Sequence, residues 1–252
     1  MKFIEAPNLP SGNVDKLIIG QKYAGLLEKT LINHGISPIF IPNNPNVDDR
    51  MSGHADMSML HVGGRRVMLA DYLKDTGFAH EMMEAGFDVI VSNTRQGLKY
   101  PRDCGLNVCM AGKYVIYNPD TAYDDIDNYL TSSDSIRITT QQGYARCSVC
   151  VVDGRSIITA DEGVGKAAAG AGMDVLMVKT NLVSLDGYNC GFIGGATFKL
   201  SKCKLAFTGI ISDEKEKQRI ENFIAERNVI PKYLTEEKLF DIGSAIPLTE
   251  KQ

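Results

Sequence analysis

The sequence predicts an α/β protein, a five-fold pseudosymmetric α/β propeller of repeated hairpin-helix-strand units. Three observations predict it. Five short apolar runs share one look, each is followed by a helical stretch and a second strand, and most are preceded by a strand and a tight turn.

The five runs cover residues 16–20, 66–70, 114–118, 156–160 and 204–208. Matched at Leu17, Val67, Val115, Ile157 and Leu205, they lie 50, 48, 42 and 48 residues apart. Their β-branched and apolar content suits buried strands, so the inner strands are expected near 17–19, 67–69, 115–117, 157–159 and 205–207. The helical stretches come next. Residues 21–34 place Tyr23, Leu26, Leu27 and Leu31 at helical spacing and stop at Gly35. Residues 78–85 stop at Gly86, and 163–171 stop at Gly172; 121–130 and 213–227 complete the set. In the last, Ser212 is the expected cap, acids fill the first turn, and Ile220, Phe223 and Ile224 form the apolar stripe. Second strands are expected at 36–41, 87–91, 135–139, 173–178 and 231–234.

Lead-in strands are expected at 57–62, 106–110 and 147–152. They turn at Gly63-Gly64, Ala111-Gly112 and Asp153-Gly154, which are hairpin signals. The fifth unit turns at Ser201-Lys202, and the first is led by residues 3–6 through a longer link. The tail, at 239–242 and 245–248, can add a strand beside the first unit and close the ring. A unit this small cannot bury its own apolar face and must pack on its neighbours. With no linker and no composition shift, residues 1–252 read as one domain; an open α/β sandwich is the competing arrangement.

The 252 residues are 44% hydrophobic and 23% charged, with a net charge of −4. That is ordinary for a globular protein. No basic cluster suggests nucleic acid. No run of about 18 apolar residues suggests a membrane span, and no leader is visible, so the cytoplasm is the expected location. A homo-oligomer is compatible with the sequence. Cys104, Cys109, Cys147, Cys150, Cys190 and Cys203 are too sparse for a disulfide scaffold. Cys147 and Cys150 have C-x-x-C spacing, but on a strand they would face opposite ways. They read as small buried hydrophobes, with no metal and no cofactor expected. Gly163-Val164-Gly165-Lys166 lacks the spacing of a phosphate loop and reads as a helix start.

The stretch with the most chemistry is Ser52-Gly53-His54-Ala55-Asp56-Met57. On a strand, His54 and Asp56 would face one way and make an acid/base pair or a structural hydrogen bond. Registering the repeats on their inner strands sets 53–56 opposite 101–104, 143–146 and 191–194. Arg102, Asp103 and Arg146 then join His54 and Asp56 at one end of the ring, with Gly194-Gly195 beside them. Each has a plainer reading: a local ion pair for Arg102 and Asp103, a surface charge for Arg146, and a bulge for the glycines.

These features together resemble the guanidine-modifying, or pentein, superfamily. They are five hairpin-helix-strand units, His-x-Asp at 54–56, Arg-Asp at 102–103 and Gly-Gly at 194–195. The chain most resembles an uncharacterised bacterial branch of it. The resemblance implies the pentein fold and a hydrolase or transferase acting on the C–N bond of a small cationic guanidino or amidine compound. It implies His54 as proton shuttle, Asp56 and Asp103 as guanidinium binders, and Arg102 as a group orienting a substrate carboxylate or a neighbouring acid. Arg146 joins the substrate-binding set by its place in the register. The superfamily's nucleophilic cysteine follows its Gly-Gly pair. Here residues 196–200 hold none, Cys203 lies beyond the turn, and Cys190, just before the pair, is the expected nucleophile. The superfamily also contains a non-catalytic ribosome-binding factor. A binding protein that kept the ring and lost the chemistry is therefore the alternative.

Overall fold

A computed structural model describes residues 2–131 and 134–251. Taken in chain order, the elements build five small sheets of one construction. The first unit runs β1 (Lys2–Phe3), β2 (Val14–Gly20), α1 (Ala24–Asn33) and β3 (Ser37–Ile41). The second has β4 (Met59–Gly63), β5 (Arg66–Leu69), α2 (Phe78–Glu84) and β6 (Asp88–Val91). The third has β7 (Cys109–Ala111), β8 (Tyr114–Tyr117), α3 (Asp124–Thr131) and β9 (Ile136–Thr139). The fourth opens with one helical turn, α4 (Ala145–Ser148). It continues with β10 (Val149–Val151), β11 (Ser156–Thr159), α5 (Glu162–Gly170) and β12 (Asp174–Met177). The fifth has β13 (Thr197–Ser201), β14 (Lys204–Phe207), α6 (Glu214–Ala225) and β15 (Ile230–Tyr233), and the chain returns as β16 (Ile246–Glu250).

In every sheet the middle strand pairs antiparallel with its lead-in strand and parallel with the strand after the helix. The parallel pair needs a crossover, which the helix supplies. Middle strands carry the core, with Leu17, Ile18, Val67, Leu69, Ile116, Ile157, Leu205 and Phe207 fully or almost fully buried. Each such side chain contributes about 1.5–3 kcal/mol. The helices bury one stripe each, Leu27 and Leu31 in α1 and Ile220 and Ile224 in α6.

Three local expectations are corrected. The lead-in of the first sheet is not residues 3–6 but β16, which sets Ile246 opposite Ile18; β1 pairs with the far edge of β16. The C-terminal strand therefore completes the first sheet, whereas residues 239–242 add only an isolated bridge between Phe240 and Ser184. The cap of α6 is Asp213, not Ser212; its carboxylate accepts from the amides of Lys215 and Glu216.

The third correction concerns the lead-in strands, which start two or three residues later than the apolar runs do. Before each, the chain makes a tight turn. Residues 55–57 form a short 3-10 helix and 145–148 form α4. Asn107 bonds back to Cys104, Ala196 to Ile193, and the Gly243 amide to the Asp241 carboxylate. These five turns are hydrogen-bonded to one another in a closed ring. The Asp56 amide donates to Gly243, the Asn107 side chain to the Asp56 carbonyl, and the Arg146 and Cys147 amides to the Asn107 side chain. The Gly195 amide donates to the Cys147 carbonyl, and the Ile242 and Ser244 amides donate to Gly195. Each turn thus donates to the one before it, and the C-terminal segment closes the circle.

Candidate active site

The ring of turns sets the site. His54 caps the 3-10 helix that carries Asp56, so the two are not on a strand. Their side chains nonetheless come close to each other, and Cys147 joins them from α4. One ligand atom each from His54, Asp56 and Cys147 lies within 4.8 Å of the others, and all three residues are buried. The Cys147 thiol donates to Asp56 Oδ2 at 2.9 Å, and the Asn107 amide donates to Cys147 Sγ at 3.1 Å. His54 Nδ1 stands 4.0 Å from Asp241 Oδ1, too far for a hydrogen bond.

Two glycines permit this packing. A Cβ on Gly195 would collide with Asp241 Oδ1, and one on Gly243 would collide with the Cβ of His54. Gly243 also has φ +66°, in the left-handed region. Asp241 is held by the amides of Phe192 and Gly243, each at 2.8 Å.

Burial is the dominant electrostatic influence. It holds the His54 imidazole below its ordinary pKa, against the pull of Asp241. It raises Asp56 to about 7, although the Cys147 thiol and Arg146 act the other way. It raises the Cys147 thiol well above its ordinary value, helped by the charges of Asp56 and Asp241. All three groups are therefore held toward their neutral forms. Both ring nitrogens of His54 and Asp56 Oδ1 have no hydrogen-bond partner among the described residues. Unpartnered buried polar atoms are uncommon in a folded interior and single this cluster out as a candidate site.

Arg146 is buried. Its guanidinium donates to the carbonyls of Val149 and Gly194 and to the Ser244 hydroxyl. It fastens three turns together and places a positive charge near Asp56. Asp103 and Cys190 lie in an adjoining cleft of about 620 Å³, not in the cluster. The Asp103 carboxylate accepts from the Tyr144 hydroxyl at 2.8 Å and its Oδ1 has no partner among the described residues; burial raises its pKa. Arg102 is exposed and lies in a separate depression with Thr94 and Asp124, away from both cluster and cleft.

Sequence reasoning passed over Cys147, Asn107 and Asp241. Cys147 was hidden by the assumption of a continuous strand through 147–152. Its signal was position: it follows Arg146, which the repeat register already set opposite Asp56. Asp241 reaches the site only through the chain's return, in the turn ahead of β16.

The matching family spans residues 18–246. The chain belongs to the family of unknown function DUF6873. No curated protein matches it. Among solved structures it is similar to the inosamine-phosphate amidinotransferase of Streptomyces griseus, with TM-score 0.60, 8% identity, and 100% of this chain and 98% of that one covered. It is similar to C. jejuni agmatine deiminase with substrate bound, with TM-score 0.57, 10% identity, and coverage of 98% and 96%. It is also similar to DDAH of Pseudomonas aeruginosa in complex with citrulline, with TM-score 0.55, 10% identity, and coverage of 94% and 100%. At such identity the likeness is one of fold, and this family member has the pentein fold. A metal ion with an affinity for nitrogen, oxygen and sulfur could be held by His54, Asp56 and Cys147. The same three groups also make up a thiol acid/base set. Among the described residues, no helix is long and apolar enough to cross a membrane.

Proposed function

We propose that the protein is an enzyme that breaks the C–N bond of a cationic guanidino or amidine compound, with Cys147 rather than Cys190 as nucleophile. The observation that carries this reading is the thiol of Cys147 donating to Asp56 beside an imidazole with two unpartnered nitrogens. The likeness in fold to proteins named amidinotransferase and agmatine deiminase agrees with it.

A guanidinium arriving beside Asp56 would offset the burial that keeps that carboxyl and the thiol neutral, favouring carboxylate and thiolate. The Cys147 proton passes to His54. Cys147 Sγ then forms a bond to the guanidinium carbon, and one C–N bond breaks. The departing amine takes the proton from His54. Water gives one proton to His54 as its oxygen bonds to the remaining thio-amidinium carbon; the C–S bond then breaks, the sulfur takes the proton from His54 and the second proton leaves to solvent, giving a ureido product and the thiol. An amine in place of water makes the same sequence a transfer. Asp56 holds the cation, Arg146 keeps the surroundings positive, and Asp241 steadies the imidazolium.

The test is turnover of a panel of arginine, agmatine, methylated arginines and simple alkylguanidines, followed as ammonia, amine and ureido product. Turnover that disappears in Cys147→Ala and survives in Cys190→Ala supports the reading. No turnover by the wild-type protein across the panel sinks it. One feature favours a second reading, a binding protein without chemistry: Cys147 and His54 are buried and do not line the cleft.

A further inference from the structure

The adjoining cleft says something about the rest of the ligand. Three of its own lining residues are tied to the cluster or adjoin it. The His54 amide donates to the Met51 carbonyl, the Phe192 amide to Asp241, and Tyr144 immediately precedes α4. Its walls are aromatic. The rings of Tyr100 and Tyr144 are 5.8 Å apart and those of Tyr144 and Phe192 are 6.1 Å apart. Asp103 lines the same cleft and accepts from the Tyr144 hydroxyl through Oδ2. An acid beside a row of mutually tilted aromatic rings favours a cation that carries apolar surface.

The cations that line the cleft are poorly placed for an anionic ligand group. Arg50 donates through Nε and Nη2 to Asp48 at 2.7 and 2.6 Å, and through Nη1 to the Gly187 carbonyl at 2.9 Å. Its guanidinium also stacks 4.5 Å over Tyr188. Lys99, the other lining cation, is exposed. A carboxylate brought into the cleft would leave water without a buried partner in exchange.

We propose that the cleft selects alkyl- or aryl-substituted guanidinium compounds without a carboxylate, and discriminates against amino-acid guanidines. The proposal rests on the guanidino reading above, and Asp103 and the aromatic walls are the selecting residues. The Asp48–Arg50 pair keeps the arginine from serving as a carboxylate receptor.

The experiment is calorimetric titration of benzylguanidine, hexylguanidine and arginine into Cys147→Ala protein, where binding is read without turnover. The two apolar-bodied compounds are expected to bind at least about tenfold more tightly than arginine. Asp103→Asn, and separately Tyr144→Leu, each weaken benzylguanidine by about tenfold, with melting curves confirming that both variants are folded. Asp48→Asn frees Arg50 and tightens arginine several-fold while leaving benzylguanidine unchanged. Arginine binding as tightly as benzylguanidine, no binding of any of the three, or no effect of Asp103→Asn and Tyr144→Leu in folded protein each overturns the proposal. Selective binding without wild-type turnover would instead leave this inference standing and remove the enzymatic one.

Discussion

Two buried carboxylates in this protein have opposite surroundings. Glu250, at the end of β16, is almost completely covered. Its oxygens accept from the amides of Ser11 and Gly12, each at 2.7 Å, from the Ser11 hydroxyl, and from the Lys2 ammonium. Burial alone would raise its pKa, but these donors outweigh it and bring the group down to about 2. Asp56 is as deeply buried, accepts one thiol proton on Oδ2, and leaves Oδ1 without a partner; its pKa goes up to about 7. One carboxylate is saturated with donors and fastens the two ends of the chain. The other is left short of donors at the place where five turns meet. A buried acid that is fully satisfied holds structure, and one left unsatisfied is available for a ligand or a proton.

The largest effect that could break this contrast is on chemistry. Cys147→Ala should lower turnover by about a thousandfold or more with little change in melting temperature. An equally large loss in Glu250→Gln at unchanged stability would show that the two regions are not functionally distinct. Next comes Gly195→Ala. Its Cβ would meet the Asp241 carboxylate, so stability should fall by about 2–3 kcal/mol in denaturant titration, and turnover should fall with it. Restored turnover at wild-type stability would show that the Gly195–Asp241 contact is not a constraint.

Glu250→Gln should destabilise by about 1–3 kcal/mol at pH 7. The native pKa of Glu250 is depressed, so its contribution is fully present above the unfolded value and is lost as pH falls toward 2. The difference between wild type and variant should therefore shrink below about pH 4.5. Asp56 has the opposite sign. Its native pKa is raised, so the native state binds the extra proton between about 4 and 7, and stability falls as pH rises through that window. Asp56→Asn should match wild type near pH 4 and exceed it by about 1–4 kcal/mol near pH 8, while losing activity. Parallel stability profiles for wild type and Asp56→Asn across that range would refute the account of Asp56.

Much of the fold was legible because the inner strands repeat. A run such as 67–69 or 205–207 is apolar throughout, and the helix after it shows a stop or an amphipathic stripe. The register drawn from those strands already set Arg146 opposite Asp56. What was not legible was the conformation just before each lead-in strand. Residues 55–57 and 145–148 set one charged residue between small or apolar ones, an alternation that passes for strand, and the structure winds them into helical turns. That error hid Cys147 behind a strand periodicity and left Cys190 as the favoured thiol.

By itself, then, the sequence determined the strand, helix and strand of each unit, because apolar periodicity is local. It also determined that His54 and Asp56 sit at a lead-in. Tertiary structure alone decided which cysteine meets them, that Asp241 stands behind His54, and that Arg102 lies elsewhere. It decided as well that the last strand, expected beside the first unit, takes the lead-in place there instead of residues 3–6. Each of these depends on hydrogen bonds between turns far apart in the chain, such as Asp56 to Gly243 and Gly195 to Cys147, and no local pattern encodes a closed ring.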